Sequence, residues 1–132
     1  MENEVMTIRE MCDAFEVTPR TLRFYESKEL LFPIREGQKR LFTRRDRARL
    51  KLILRWKRFG FSLEDIRQLL DLYSIGDNQV TQLTETLKLA RVRLQEMQRE
   101  RDELAAAINE LDAEISAGEG KLQERRAESS AA

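Results

Sequence analysis

The sequence predicts a mainly α-helical chain: a winged helix-turn-helix domain followed by a long C-terminal dimerisation helix. Three observations predict it. Capping signals open a succession of short amphipathic helices in the first half. A single proline- and glycine-containing segment, flanked by apolar residues, interrupts them. From Leu83 onward the apolar residues change to alternating spacings of four and three, the mark of a coiled coil rather than of a helix on a globular core.

Taken in order, Thr7-Ile8-Arg9-Glu10 is a capping box, with Ile8, Met11, Cys12 and Phe15 forming one apolar face behind it. Thr18-Pro19 reads as an N-cap followed by proline at the first helical position, where its missing N–H costs nothing. Phe32 to Phe42 contains Pro33, which blocks helix, and Gly37, which offers a turn, so it reads as a β-hairpin. Thr43-Arg44-Arg45-Asp46 opens a third helix that runs to about Phe59 and is ended by Gly60. Ser62-Leu63-Glu64-Asp65 opens a fourth, with Leu63, Ile66, Leu69 and Leu70 as its buried stripe. Gly76, Asp77 and Asn78 mark the next break, a hinge expected over Ser74 to Asn78.

The seam of the last helix is Leu83, Leu87, Ala90, Leu94, Met97, Arg101, Leu104, Ile108, Leu111 and Ile115. Arg101 is its one charged position, and such a residue fixes register at some cost in stability. Gly118 and Gly120 are expected to end the helix. The domain division that follows is a head at residues 1–75, a dimerisation helix at 76–117 and a disordered polar tail at 118–132.

Charge is also unevenly divided along the chain. Lys+Arg and Asp+Glu both total 24, yet residues 1–60 carry an excess of about six positive charges and the remainder a matching negative excess. A polyanion is attracted to the first half only. The polar, acidic start Met1-Glu2-Asn3-Glu4 is not a secretory leader, and no apolar run approaches the length of a membrane span, so a cytoplasmic location and no membrane partner are expected. The chain has no histidine, no glycine-rich phosphate loop and no metal-ligand motif, which argues against an enzyme and against a cofactor. Its single cysteine, Cys12, shares the apolar face of the first helix, so packing is its expected role.

The basic residues concentrate where a helix-turn-helix would use them. After only Glu16 and Val17, the second helix carries Thr18, Arg20, Arg23 and Tyr25, while Leu22 claims its core face. Arginines there suit bidentate contacts to phosphate or guanine, and a tyrosine hydroxyl can bond phosphate. The hairpin adds Arg35, Lys39 and Arg40. The third helix is crowded with Arg44, Arg45, Arg47, Arg49, Lys51, Arg55, Lys57 and Arg58, about half of which are accounted for by solvated faces and local ion pairs. Trp56 and Phe59 read as core. Leu69, Leu72, Tyr73 and Ile75 could line a small-ligand site, although ordinary packing is the simpler account.

The strings Met6-Thr7-Ile8-Arg9-Glu10, Val17 to Glu26 with its Leu22-Arg23-Phe24-Tyr25-Glu26, Leu30-Leu31, Arg35, Arg40 and Gly60-Phe61-Ser62-Leu63 closely resemble the MerR family of bacterial transcriptional regulators, over about residues 5–73. The resemblance implies a homodimer whose long helices pair as an antiparallel coiled coil. It also implies binding to a pseudo-palindromic operator in duplex DNA, with distortion of the promoter for RNA polymerase. By the same resemblance Thr18, Arg20, Arg23 and Tyr25 face the major groove and its phosphates, Arg35, Lys39 and Arg40 belong to the wing, and Lys57 and Arg58 are further phosphate contacts. The chain departs from the family pattern twice. Leu41-Phe42 stands where the family usually ends the wing with tyrosine, and Glu29 stands where it usually has glycine. Metal and redox sensors of the family carry cysteines near the end of the dimer helix, and this chain has none there, so no metal is expected and the effector is left open. The competing reading is a coiled-coil interaction protein whose basic head docks on an acidic protein partner.

Overall fold

A computed structural model describes residues 4–72 and 79–131. The elements are β1 (Val5–Thr7), α1 (Ile8–Phe15), α2 (Pro19–Ser27), β2 (Ile34–Glu36), β3 (Lys39–Thr43), α3 (Arg44–Arg58), α4 (Leu63–Asp71) and α5 (Val80–Ala131). They divide into two units, Met1–Lys88 and Leu89–Ala132. The expected hinge at Ser74 to Asn78 and the residues Tyr73 and Ile75 lie outside the described residues.

In the first unit each cap does what its sequence predicts. Thr7 and Glu10 close a reciprocal capping box on α1, Thr18 caps α2 with Pro19 at its first position, and Thr43 and Asp46 close a second box on α3. The turn between α1 and α2 is short because Glu16 adopts a left-handed conformation (φ 55°) and Val17 N–H bonds back to the Cys12 carbonyl. That places α2 directly after α1 as the second member of a helix-turn-helix.

The wing is a three-stranded antiparallel sheet in the order β1-β3-β2. β2 and β3 are joined by Gly37 and Gln38, with Gly37 at φ +62°, as the tight mirror-image turns of hairpins require. β1, which three residues are too short to announce by alternation, pairs Met6 with Phe42 and so ties the start of α1 to the wing. Met11, Leu22, Tyr25, Leu30, Leu31, Phe42, Leu50, Ile53, Ile66 and Leu69 form the core beneath these elements. Trp56 packs edge-on against Phe61, but Phe59, expected in the core, remains 39% exposed at the end of α3.

The last helix departs from the sequence reading. α5 continues through Gly118 and Gly120 to Ala131, where a helix end and a disordered tail were expected. Each glycine costs a helix about 1 kcal/mol relative to alanine. No proline follows, and Lys121, Leu122, Gln123, Glu124, Arg125, Arg126 and Ala127 are all strong helix formers, so propagation resumes beyond them. No helix among the described residues is long and apolar enough to cross a membrane.

Candidate nucleic-acid interface

Arg23 of α2 and Lys39 and Arg40 of the wing line one open cleft of about 310 Å³. Thr7, Ile8 and Gln38 complete its walls. Three cations thus meet the N-terminal end of α1, an arrangement that attracts an anion on both counts. The helix end contributes less than a bare terminus, because Thr7 N–H already donates to Glu10 Oε1 at 3.0 Å and Glu10 N–H to Thr7 Oγ1 at 3.2 Å. The backbone bond from Thr7 foremost, and a side-chain hydrogen bond from Thr7 after it, hold the Glu10 carboxyl below its ordinary range.

Arg20 is exposed in the first turn of α2, one turn ahead of Arg23. Thr18 is occupied as the N-cap: its Oγ1 accepts from Thr21 N–H at 3.2 Å and lies 2.9 Å from Thr21 Oγ1. On the hairpin, Arg35 and Arg40 are cross-strand partners, two like charges side by side. Glu26 at the end of α2 lies between them. Its Oε1 accepts from Arg35 at 3.1 Å and its Oε2 from Arg40 Nε at 2.5 Å. The carboxylate offsets a repulsion that would otherwise splay the wing, and it fixes the wing to the helix.

Tyr25 departs from the expected placement. It is 1% exposed, packed in the core on the face it shares with Leu22, one helical turn away. Its hydroxyl accepts from Lys57 Nζ at 3.3 Å, and that ammonium lies 5.5 Å from the ring centre. Tyr25 is therefore a support for Lys57 rather than an exposed groove contact. Arg58 is exposed in the last turn of α3. Arg49, one of the cations that crowd α3, is buried: its Nε donates to the Leu30 carbonyl at 2.7 Å and its guanidinium stacks on Phe32. Burial lowers its pKa, and Arg45 adds to the effect.

A family model described as MerR HTH family regulatory protein matches residues 6–72. A second, described as MerR, DNA binding, matches residues 47–113. The chain belongs to the MerR family. The HTH-type transcriptional regulator ZntR of Escherichia coli K12 is 39% identical over 93 residues, which are 69% of this chain and 64% of that regulator. The chain therefore spans less than two thirds of that relative's length. A crystal structure of a MerR-family transcriptional regulator from Bacillus cereus matches with a TM-score of 0.67 at 28% identity, covering 82% of this chain and 78% of that one. The crystal structure of HiNmlR, a MerR-family regulator lacking the sensor domain and bound to promoter DNA, matches with a TM-score of 0.59 at 27% identity, covering 80% of this chain and 79% of the other.

In this MerR-family chain the residues that sequence reasoning missed are Thr7, Ile8 and Gln38 in the cleft and Glu26 behind it. The capping box at Thr7 marks a helix start but gives no sign that the start borders the wing. That follows from the pairing of β1 with β3.

Proposed function

We propose that this MerR-family chain is a transcriptional regulator that binds a pseudo-palindromic operator in duplex DNA as a homodimer and distorts the promoter there. The observation that carries the reading is the cleft in which Arg23, Lys39 and Arg40 converge beside the start of α1. A recognition helix in the major groove with a basic wing astride the backbone requires cations on both elements, facing one phosphate track. Arg20 and Arg23 are the base-edge or phosphate contacts of α2. Arg35, Lys39 and Arg40 are those of the wing, and Thr18, Lys57 and Arg58 are flanking phosphate contacts. The promoter DNA bound by HiNmlR supports the same use of this head.

In this reading residues 1–75 are the DNA-binding head and the helix that follows is the dimerisation element. Its seam from Leu83 to Ile115 is apolar at every position but Arg101. RNA polymerase at the promoter is the second partner, the site of action is the cytoplasmic nucleoid, and the chain catalyses no reaction.

The test is electrostatic. Binding of the full-length protein to its promoter DNA should weaken by orders of magnitude between about 50 and 200 mM salt, because each neutralised phosphate releases counterions. Arg23→Ala should cost roughly 1–3 kcal/mol of binding without changing the protein's oligomeric state. An Arg23→Ala protein that binds like wild type contradicts the assignment of α2. Salt-insensitive or absent DNA binding, with capture by an acidic protein instead, contradicts the function.

A further inference from the structure

Within the first unit a cleft of about 180 Å³ lies between α3, α4 and the start of α5. It shares no lining residue with the cleft of Arg23, Lys39 and Arg40. Its floor is apolar: Leu52 and Trp56 come from α3, Leu69 and Leu70 from α4. The Trp56 ring is held edge-on by Phe59 and Phe61, with ring centres 5.9 and 5.0 Å away, so this wall is set before anything binds.

The part of α5 above this floor does not match it. A helix that covers leucines and an indole normally turns an apolar stripe toward them. Here the wall carries Gln82 and, one turn on, Thr86. Gln82 is only 7% exposed, a burial that amide side chains seldom reach, and its amide makes no hydrogen bond to any described residue. A buried amide left without partners weakens the fold, and a leucine in its place would not. Water satisfies such a group only where several polar partners surround it, and the floor opposite is apolar. Arg55 also lines the cleft, exposed and without an ion pair to any described residue.

An unsatisfied amide, an unpaired guanidinium and an apolar floor together match a molecule with one charged end. We infer that this cleft is a binding site for a small monocarboxylate with an apolar body. The body lies on Leu52, Trp56 and Leu69. The carboxylate pairs with Arg55, and the Gln82 amide donates to one of its oxygens. A second carboxylate would find no second cation, because Arg55 is the one basic side chain among the described lining residues. The volume is below the roughly 300–1,000 Å³ of sites for drug-sized ligands, which limits the body to a short chain or a single ring. None of this depends on the DNA contacts, so the test needs no DNA.

Trp56 is the sole tryptophan of the chain, and its fluorescence reports on the site directly. The probe is hexanoate, titrated into the full-length protein at constant ionic strength. The expected result is a saturable change in Trp56 emission, matched by saturable heat in calorimetry. Hexanamide, of the same shape but uncharged, should bind roughly tenfold more weakly. Arg55→Gln, a change at an exposed position, should weaken hexanoate about tenfold and remove its advantage over hexanamide. Gln82→Leu should raise the melting temperature of the free protein and weaken hexanoate at least about tenfold. A residue with a purely structural role would not trade a ligand for stability in this way. Absence of a saturable response to hexanoate, equal binding of hexanoate and hexanamide, or binding that both substitutions leave intact overturns the inference.

Discussion

Arg40 on the wing donates to Glu26 at the end of the second helix across 2.5 Å, and neither side chain is fully exposed. The same carboxylate takes Arg35 at 3.1 Å, the residue directly opposite Arg40 in the hairpin. One anion thus holds two cations that would repel each other, and it joins the wing to the helix beside it.

Replacing Glu26 by glutamine leaves that repulsion uncompensated. Because all three side chains are partly solvated, the expected loss is about 1 kcal/mol of folding stability. The loss should shrink as salt screens the two arginines. Urea unfolding at low and high ionic strength checks it, and an unchanged midpoint at low salt would show that Glu26 is not the clamp.

Asp46 should matter more. It is 2% exposed and accepts from Phe32 N–H at 2.9 Å and from Thr43 N–H and Oγ1–H at 3.1 Å each. Asp46→Ala strands two backbone donors in a part-buried place, at a cost of about 2–4 kcal/mol, and Asp46→Asn should recover part of it. Equal stability of the alanine and wild-type proteins in denaturant melts would contradict the assignment.

Glu29 sits at φ 59°, where a side chain is strained and glycine is not. Its link to Arg67 is 3.8 Å long between exposed groups and contributes little. Glu29→Gly should therefore raise stability by about 0.5 kcal/mol, the relief of strain outweighing the added freedom of the unfolded chain. A lower melting temperature in the variant is the opposing result.

Half-burial, and secondarily Asp13, raise the Cys12 thiol above its ordinary 9.0. The folded state therefore favours the neutral thiol, and the stability this contributes is complete below pH 9.0 and fades as pH rises through the higher folded value. Alkylation of the native protein at pH 8 should be slower than of the unfolded chain. Faster alkylation in the native state would mark a reactive thiol.

Much of this was legible in the sequence because it is local. The caps at Thr7, Thr18, Thr43 and Ser62 each act within one helical turn, and the structure forms all four. The burial of Tyr25 was legible too, since it lies three residues from Leu22 on the same face, but the expectation of a phosphate contact overrode that spacing. Glu26 as the clamp and Arg49 as a buried donor depend on residues far along the chain, and no local pattern announces them. At Gly118 and Gly120 a local stop signal was outweighed by the helix formers on either side.

We propose that this chain grips duplex DNA as a two-fold dimer through the cleft of Arg23, Lys39 and Arg40. The most direct measurement is a footprint of the full-length protein on the DNA upstream of its own gene, at low and raised salt. A symmetric protected site that fades as salt rises, with enhanced cleavage at its centre where the duplex is distorted, is the predicted result. Protection of a single asymmetric half-site, or none at low salt on any promoter fragment tested, would contradict it.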